Sequence, residues 1–106
     1  MRQLGHPKIE EITLTGVLAA LSDPVRLSIV STLDKTDGER GWSDFDVAVG
    51  ASTLSHHMQV LRMAGVINHR QDGTRCFVSL RPDLERVFPG LIGCILGFSE
   101  HSTPDR

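Results

Sequence analysis

A chain of 106 residues, 40% hydrophobic and 23% charged with a formal net charge of −2, has the size and composition of one folded domain. That excludes a disordered or fibrous chain and a second independent core. No apolar stretch approaches the roughly 18 residues of a membrane-spanning helix. The charged segment 1–11 lacks a signal-peptide pattern, so the expected compartment is the cytoplasm, with no membrane partner. The two cysteines, Cys76 and Cys94, have neither zinc-knuckle spacing nor the density of a disulfide framework and read first as small apolar residues.

The charge is unevenly spread. Residues 50–81 hold Arg62, Arg70, Arg75 and Arg81 against the single acid Asp72, whereas the rest of the chain holds seven basic and twelve acidic residues. Phosphate binding depends on where cations lie rather than on their sum, so the overall acidity does not exclude a nucleic-acid partner.

Residues 1–12 form a polar lead-in. Val17, Leu18 and Leu21 at helical spacing predict a short helix over 15–21. Ser22 as N-cap, Asp23 in the first turn and Pro24 at the start predict a second helix, continuing through Val25, Leu27, Ile29, Val30 and Leu33. Asp37, Gly38 and Gly41 end it. Within 41–49, a short helix capped by Ser43 is expected. A strong helix follows over 51–64, stopped by Gly65. Residues 66–70 and 75–80 read as strands joined through Gln71, Asp72, Gly73 and Thr74, with Asp-Gly supplying the hairpin turn. Pro82 and Asp83 open a further helix that Pro89 interrupts or re-caps, and its later part, Leu91, Ile92, Ile95, Leu96 and Phe98, is almost wholly apolar. A polar tail occupies 99–106.

The strong helix carries the functional argument. At about 100° per residue, Leu54, Met58 and Leu61 share one face, and Ser52, His56, Gln59 and Met63 share the opposite one, flanked by Ser55 and Arg62 on one side and Thr53 and His57 on the other. Short hydroxyls, an amide and an imidazole near a helix N-terminus both donate and accept, as reading base edges requires. A merely solvated face is the competing explanation, but such faces usually carry Glu and Lys pairs, and 51–64 contains no acid. Arg70 and Arg75 flank the hairpin turn, where they reach the DNA backbone or minor groove beside a major-groove helix.

Leu18-Ala19-Ala20-Leu21-Ser22-Asp23-Pro24-Val25-Arg26-Leu27 resembles the LADPTRL segment of the ArsR/SmtB family of bacterial transcriptional repressors. Ser52 to Met58, Val60-Leu61-Arg62 and Ala64-Gly65-Val66-Ile67 resemble that family's recognition helix and the approach to its wing, and Asp72-Gly73-Thr74-Arg75 its wing turn. Over residues 14–98 the resemblance implies a homodimer on a palindromic double-stranded DNA operator, released by an inducer, which in that family is often a metal ion. A small molecule or a redox signal is the candidate here. The apolar run after Pro89 independently calls for a covering partner surface, and a two-fold axis sets two recognition helices one DNA turn apart.

There are departures. The segment Trp42-Ser43-Asp44-Phe45-Asp46-Val47 lacks the Cys-x-Cys metal ligands of the family's sensors, and only Asp83, Glu85, Glu100 and His101 answer to its second metal site. His56 and His57 point about 100° apart and cannot chelate one ion from one face; His57 is expected to hold the helix from the core side, and Arg26 to act as an intramolecular anchor. Cys94 is the candidate redox residue. No phosphate loop, nucleophile elbow or acid–base pair supports catalysis.

The expectation is therefore a mainly α fold with a small β-hairpin, a homodimeric winged helix-turn-helix over 13–98, without cofactor, metal or catalytic residues. DNA contacts are expected from Ser52, Thr53, Ser55, His56, Gln59, Arg62, Arg70, Thr74 and Arg75, and dimer contacts from Leu18, Leu91, Ile92, Ile95, Leu96 and Phe98. A winged helix docking another protein is the alternative.

Overall fold

The computed structural model describes residues 2–3 and 5–98. The expected tail over 99–106, with Glu100 and His101, lies outside the described residues. In chain order come strand β1 (Arg2–Gln3), a 3₁₀ turn (Ile9–Glu11), helices α1 (Leu14–Ala20) and α2 (Pro24–Asp34), strand β2 (Arg40–Gly41) and a second 3₁₀ turn (Trp42–Asp44). Helix α3 (Ala51–Met63), strands β3 (Ile67–Asp72) and β4 (Arg75–Leu80), and helices α4 (Asp83–Val87) and α5 (Leu91–Leu96) follow. The described strands form one antiparallel sheet in the order β1-β3-β4-β2.

The α1–α2 junction shows how local chemistry sets the fold. Thr13 caps α1, its hydroxyl oxygen accepting from the Gly16 N–H at 3.1 Å. The cap of α2 is Asp23, one residue later than expected. Its carboxylate accepts from the N–H groups of Val25 (2.9 Å) and Arg26 (3.1 Å), while the Ser22 hydroxyl donates to the Ala19 carbonyl at 2.6 Å. Both residue types cap well; Pro24, seated in the first turn where its missing N–H is harmless, decides between them. Partial burial works to raise the Asp23 pKa, but the Arg26 N–H, the neighbouring His57 and Arg26 side chains and the Val25 N–H together hold it below the usual carboxylate value. Asp23→Ala is expected to lower stability by about 1 kcal/mol, with Asp23→Asn retaining most of it, by urea denaturation at pH 7.

The core forms where α1, α2, α3 and the sheet meet: Val17, Ile29, Val30, Met58, Leu61, Val66, Ile67 and Val78 are fully buried. Two expectations about its margin need correction. Ile92, assigned to a dimer surface, is only 7% exposed and belongs to the subunit's own core, with Leu91, Ile95 and Leu96 partly buried against it. Cys94, read first as a buried small residue, is exposed, and Cys76 is half-buried. The cause is that α5 is short and curls back after Gly90 (φ 80°), turning Ile92 inward and Cys94 outward. Leu14, Leu18 and Phe98 are the large apolar side chains left exposed around α1 and after α5, at 45%, 44% and 67%.

The region 41–49 also differs. It forms one 3₁₀ turn with Ser43 inside it rather than at its cap, and the Gly41 N–H donates to the Asp44 carboxylate at 3.3 Å. Arg40–Gly41 pairs with Val78 and Phe77 as an edge strand. Trp42, Phe45 and Val47 pack onto the core from this irregular stretch, which explains an apolar pattern without helical period.

Candidate nucleic-acid interface

Helix α3 is built to turn one face inward and one outward. Met58 and Leu61 are fully buried and Leu54 half-buried, while Ser52, Thr53, Ser55, His56, Gln59 and Met63 are all exposed. Its N-cap is Gly50, whose main chain is extended and which offers no side-chain acceptor, so N–H groups of the first turn are left for solvent or a ligand anion.

On the inner flank, His57 is buried and fastens α3 to α2. Arg26 Nη1 donates to His57 Nδ1 at 3.0 Å, Arg26 Nε donates to the Ala20 carbonyl at 2.6 Å, and Asp23 Oδ2 lies 3.9 Å from the same imidazole nitrogen. One arginine thus ties the end of α1, the start of α2 and the middle of α3.

The strands β3 and β4 form the wing, in register from Ile67 opposite Leu80 to Asp72 opposite Arg75. The strands run two residues further than the sequence suggested on the β3 side, leaving Gly73 and Thr74 as the turn. Gly73 takes φ 64° with a negative-φ Thr74 after it, the pattern of a two-residue hairpin led by glycine. Thr74 and Arg75 are exposed at its tip, and the Arg75 guanidinium lies 5.0 Å from the centre of the Phe77 ring.

The other arginines near this surface hold internal partners. Arg70 Nε donates to Glu39 Oε2 at 2.7 Å, a hydrogen bond that pushes the guanidinium pKa up, and the guanidinium stacks 4.4 Å from the Phe77 ring. Arg62 Nη1 donates to the Gly5 carbonyl and to Met63 Sδ. Arg81 pairs with Asp83 at 3.0 Å. Asp83 and Glu85 are likewise engaged, Glu85 accepting from the Gly90 N–H at 2.9 Å. Among the described residues no group of three or more His, Cys, Asp or Glu side chains is arranged to hold a metal ion.

A second set of residues at this surface was not expected from the sequence. The lead-in crosses α3 and the wing: Arg2 and Gln3 pair with Gln71 and Arg70 of β3, and His6 Nε2 accepts from the His69 N–H at 2.9 Å. The His69 ring itself is 5% exposed, its centre 5.1 Å from that of the Trp42 ring at a 40° tilt, with neither ring nitrogen bonded. Burial, then the charges of Arg62 and His6, push its pKa down to about 4. Adjacent polar residues such as Asn68-His69-Arg70 look like a solvated strand; only the alternation Ile67, His69 on the inner side signals burial.

Helices α2 and α3 joined through an irregular turn, followed by a two-stranded wing, constitute a winged helix-turn-helix arrangement. A crystal structure of Rv0081 from M. tuberculosis superposes with a TM-score of 0.59 at 26% sequence identity, over 82% of this chain and 81% of that one. No family model matches the chain. An uncharacterized HTH-type transcriptional regulator, YceK of Bacillus subtilis, is 33% identical over 79 residues, covering 72% of this chain and 79% of its own length. The biofilm growth-associated repressor of Xylella fastidiosa is 33% identical over 67 residues, and the aligned part spans 63% of this chain and 59% of that repressor. The chain belongs to the HTH-type transcriptional regulators.

Proposed function

We propose that this protein is a sequence-specific DNA-binding repressor of the ArsR/SmtB type, acting in the cytoplasm as a homodimer on a palindromic operator and without catalysis. The observation that carries the reading is the exposed, acid-free face of α3 beside the wing tip. Ser52, Thr53, Ser55, His56 and Gln59 read base edges in the major groove. Thr74 and Arg75 grip the backbone from the wing, and Arg70 and Arg62 support them from positions already braced by Glu39 and Gly5. Leu18 and Phe98, joined by the exposed Leu14, cover the partner subunit, with Leu91, Ile95 and Leu96 at the margin. A small-molecule or redox inducer acting near α5, where Cys94 is exposed, releases the operator.

Mobility shifts against operator fragments selected from genomic DNA test the assignment. Gln59→Ala is expected to reduce discrimination between selected and scrambled duplexes by about 1–3 kcal/mol. Arg75→Ala is expected to weaken both duplexes alike and to lower the salt slope by about one. Uniform loss from both substitutions contradicts the division of labour. Absence of duplex binding at low salt favours a protein-docking module instead.

A further inference from the structure

Four contacts converge on the lead-in. The Gly5 carbonyl accepts from Arg62 near the C-terminal end of α3, and His6 Nε2 accepts from the His69 N–H in β3. Strand β1 extends the wing sheet at Arg70 and Gln71, and Ile12 sits where a Cβ on Gly65, the hinge between α3 and β3, would lie 2.6 Å away. The lead-in therefore touches the wing, the reading helix and the hinge. In a winged helix, affinity depends on presenting helix and wing together in the spacing of adjacent grooves, so anything that fixes their relative position acts on binding without touching DNA.

Resting on the DNA-reading function proposed above, we infer that the described lead-in, residues 2–3 and 5–12, is a strap that positions the wing against the recognition helix, and that His6 is the positioning residue that closes it. The closure has a chemical condition. The His6 nitrogen that accepts the His69 N–H must be unprotonated; an imidazolium has two donors and no acceptor, so a protonated His6 abandons the bond. Among the described residues, positive charge already gathers here: Arg62 from α3, together with His6, lowers the pKa of His69 in β3, whose ring lies against Trp42 from the 3₁₀ turn. A cation at His6 meets a guanidinium that already donates to the neighbouring Gly5 carbonyl. The strap is closed with neutral His6 and opens as the imidazole gains its proton.

Two readouts on the intact chain separate the strap from the DNA reading. In the first, hydrogen exchange of the His69 amide is followed without DNA between pH 5.5 and 7.5, corrected for intrinsic exchange. Wild type is expected to lose protection at least tenfold toward the acid end, His6→Gln, which keeps an uncharged acceptor, to stay protected throughout, and His6→Phe to be unprotected throughout at an unchanged melting temperature. In the second, duplex affinity at pH 7.5 is expected to fall five- to tenfold in His6→Phe and to be rescued in His6→Gln. On acidification wild type loses affinity relative to His6→Gln; His56 and His57 are present in both proteins and cancel in the ratio. Equal protection in wild type and His6→Phe overturns the strap. Lost protection with unchanged affinity overturns its role in positioning. No duplex binding by wild type at low salt overturns the DNA-reading proposal and with it the positioning role, whatever the exchange data show.

Discussion

Gly65→Ala is expected to destabilise the protein by about 2–5 kcal/mol, read as a shift of the urea midpoint at constant slope. Two independent costs combine at this hinge. Gly65 closes α3 at φ 85°, in the left-handed region where a Cβ costs about 1–2 kcal/mol. The added Cβ would also lie 2.6 Å from Ile12 Cγ1, 2.7 Å from Cδ1 and 3.3 Å from Cγ2, and overpacking of this kind costs about 1–3 kcal/mol. Ile12 is 7% exposed and branched close to its backbone, so it cannot swing clear cheaply. Pairing the substitution with Ile12→Ala separates the two contributions. The double variant is expected to recover the steric part relative to the sum of the singles, leaving a deficit from backbone strain. Additive costs within about 0.5 kcal/mol would mean that Ile12 does not meet the new methyl.

The same hinge shows what the sequence could and could not reveal. Gly65 was legible as a helix stop because glycine follows a periodic apolar run, and the inward set of α3 followed from a 3.6-residue period that the fold honours at Met58 and Leu61. The wing was legible from Asp72-Gly73, although its turn tightened to two residues because the pairing of Asp72 with Arg75 extends the ladder. Ile92 was misplaced because a six-residue helix following Gly90 can bury any of its faces, and an all-apolar composition does not say against what. The lead-in was illegible for a different reason. Its bonds to β3 and α3 join residues more than fifty positions apart, through main-chain groups and one imidazole, and no local periodicity encodes such contacts. The partners of Arg62 and Arg70 escaped notice likewise, since counting cations by segment does not show that Glu39 or a carbonyl already holds them.

Stability should fall by about 2 kcal/mol between pH 7 and pH 5 through His69 alone. The ring is buried with neither nitrogen bonded, so its charged form is disfavoured in the folded state, first by burial and then by the neighbouring Arg62 and His6, and its pKa drops to about 4. In the unfolded chain the imidazole returns to about 6.5. Between these values the unfolded state binds the proton and the folded state does not. The contribution is therefore present above pH 6.5 and is lost progressively as pH falls toward 4, where the folded ring also protonates. His69→Phe keeps an aromatic ring beside Trp42 and removes the titration. Urea unfolding of both proteins across pH 5–7 should give a wild-type curve that falls more steeply than the variant's by that amount. Asp23, His56 and His57 are common to both proteins and leave the difference unaffected. Repeating the pair with His6→Gln removes a neighbouring imidazole that lowers the His69 pKa, and the steeper wild-type limb should persist. Parallel curves in both backgrounds would show that the folded protein accommodates a charged His69, and would take away the reason for its closed, unpartnered site under the lead-in.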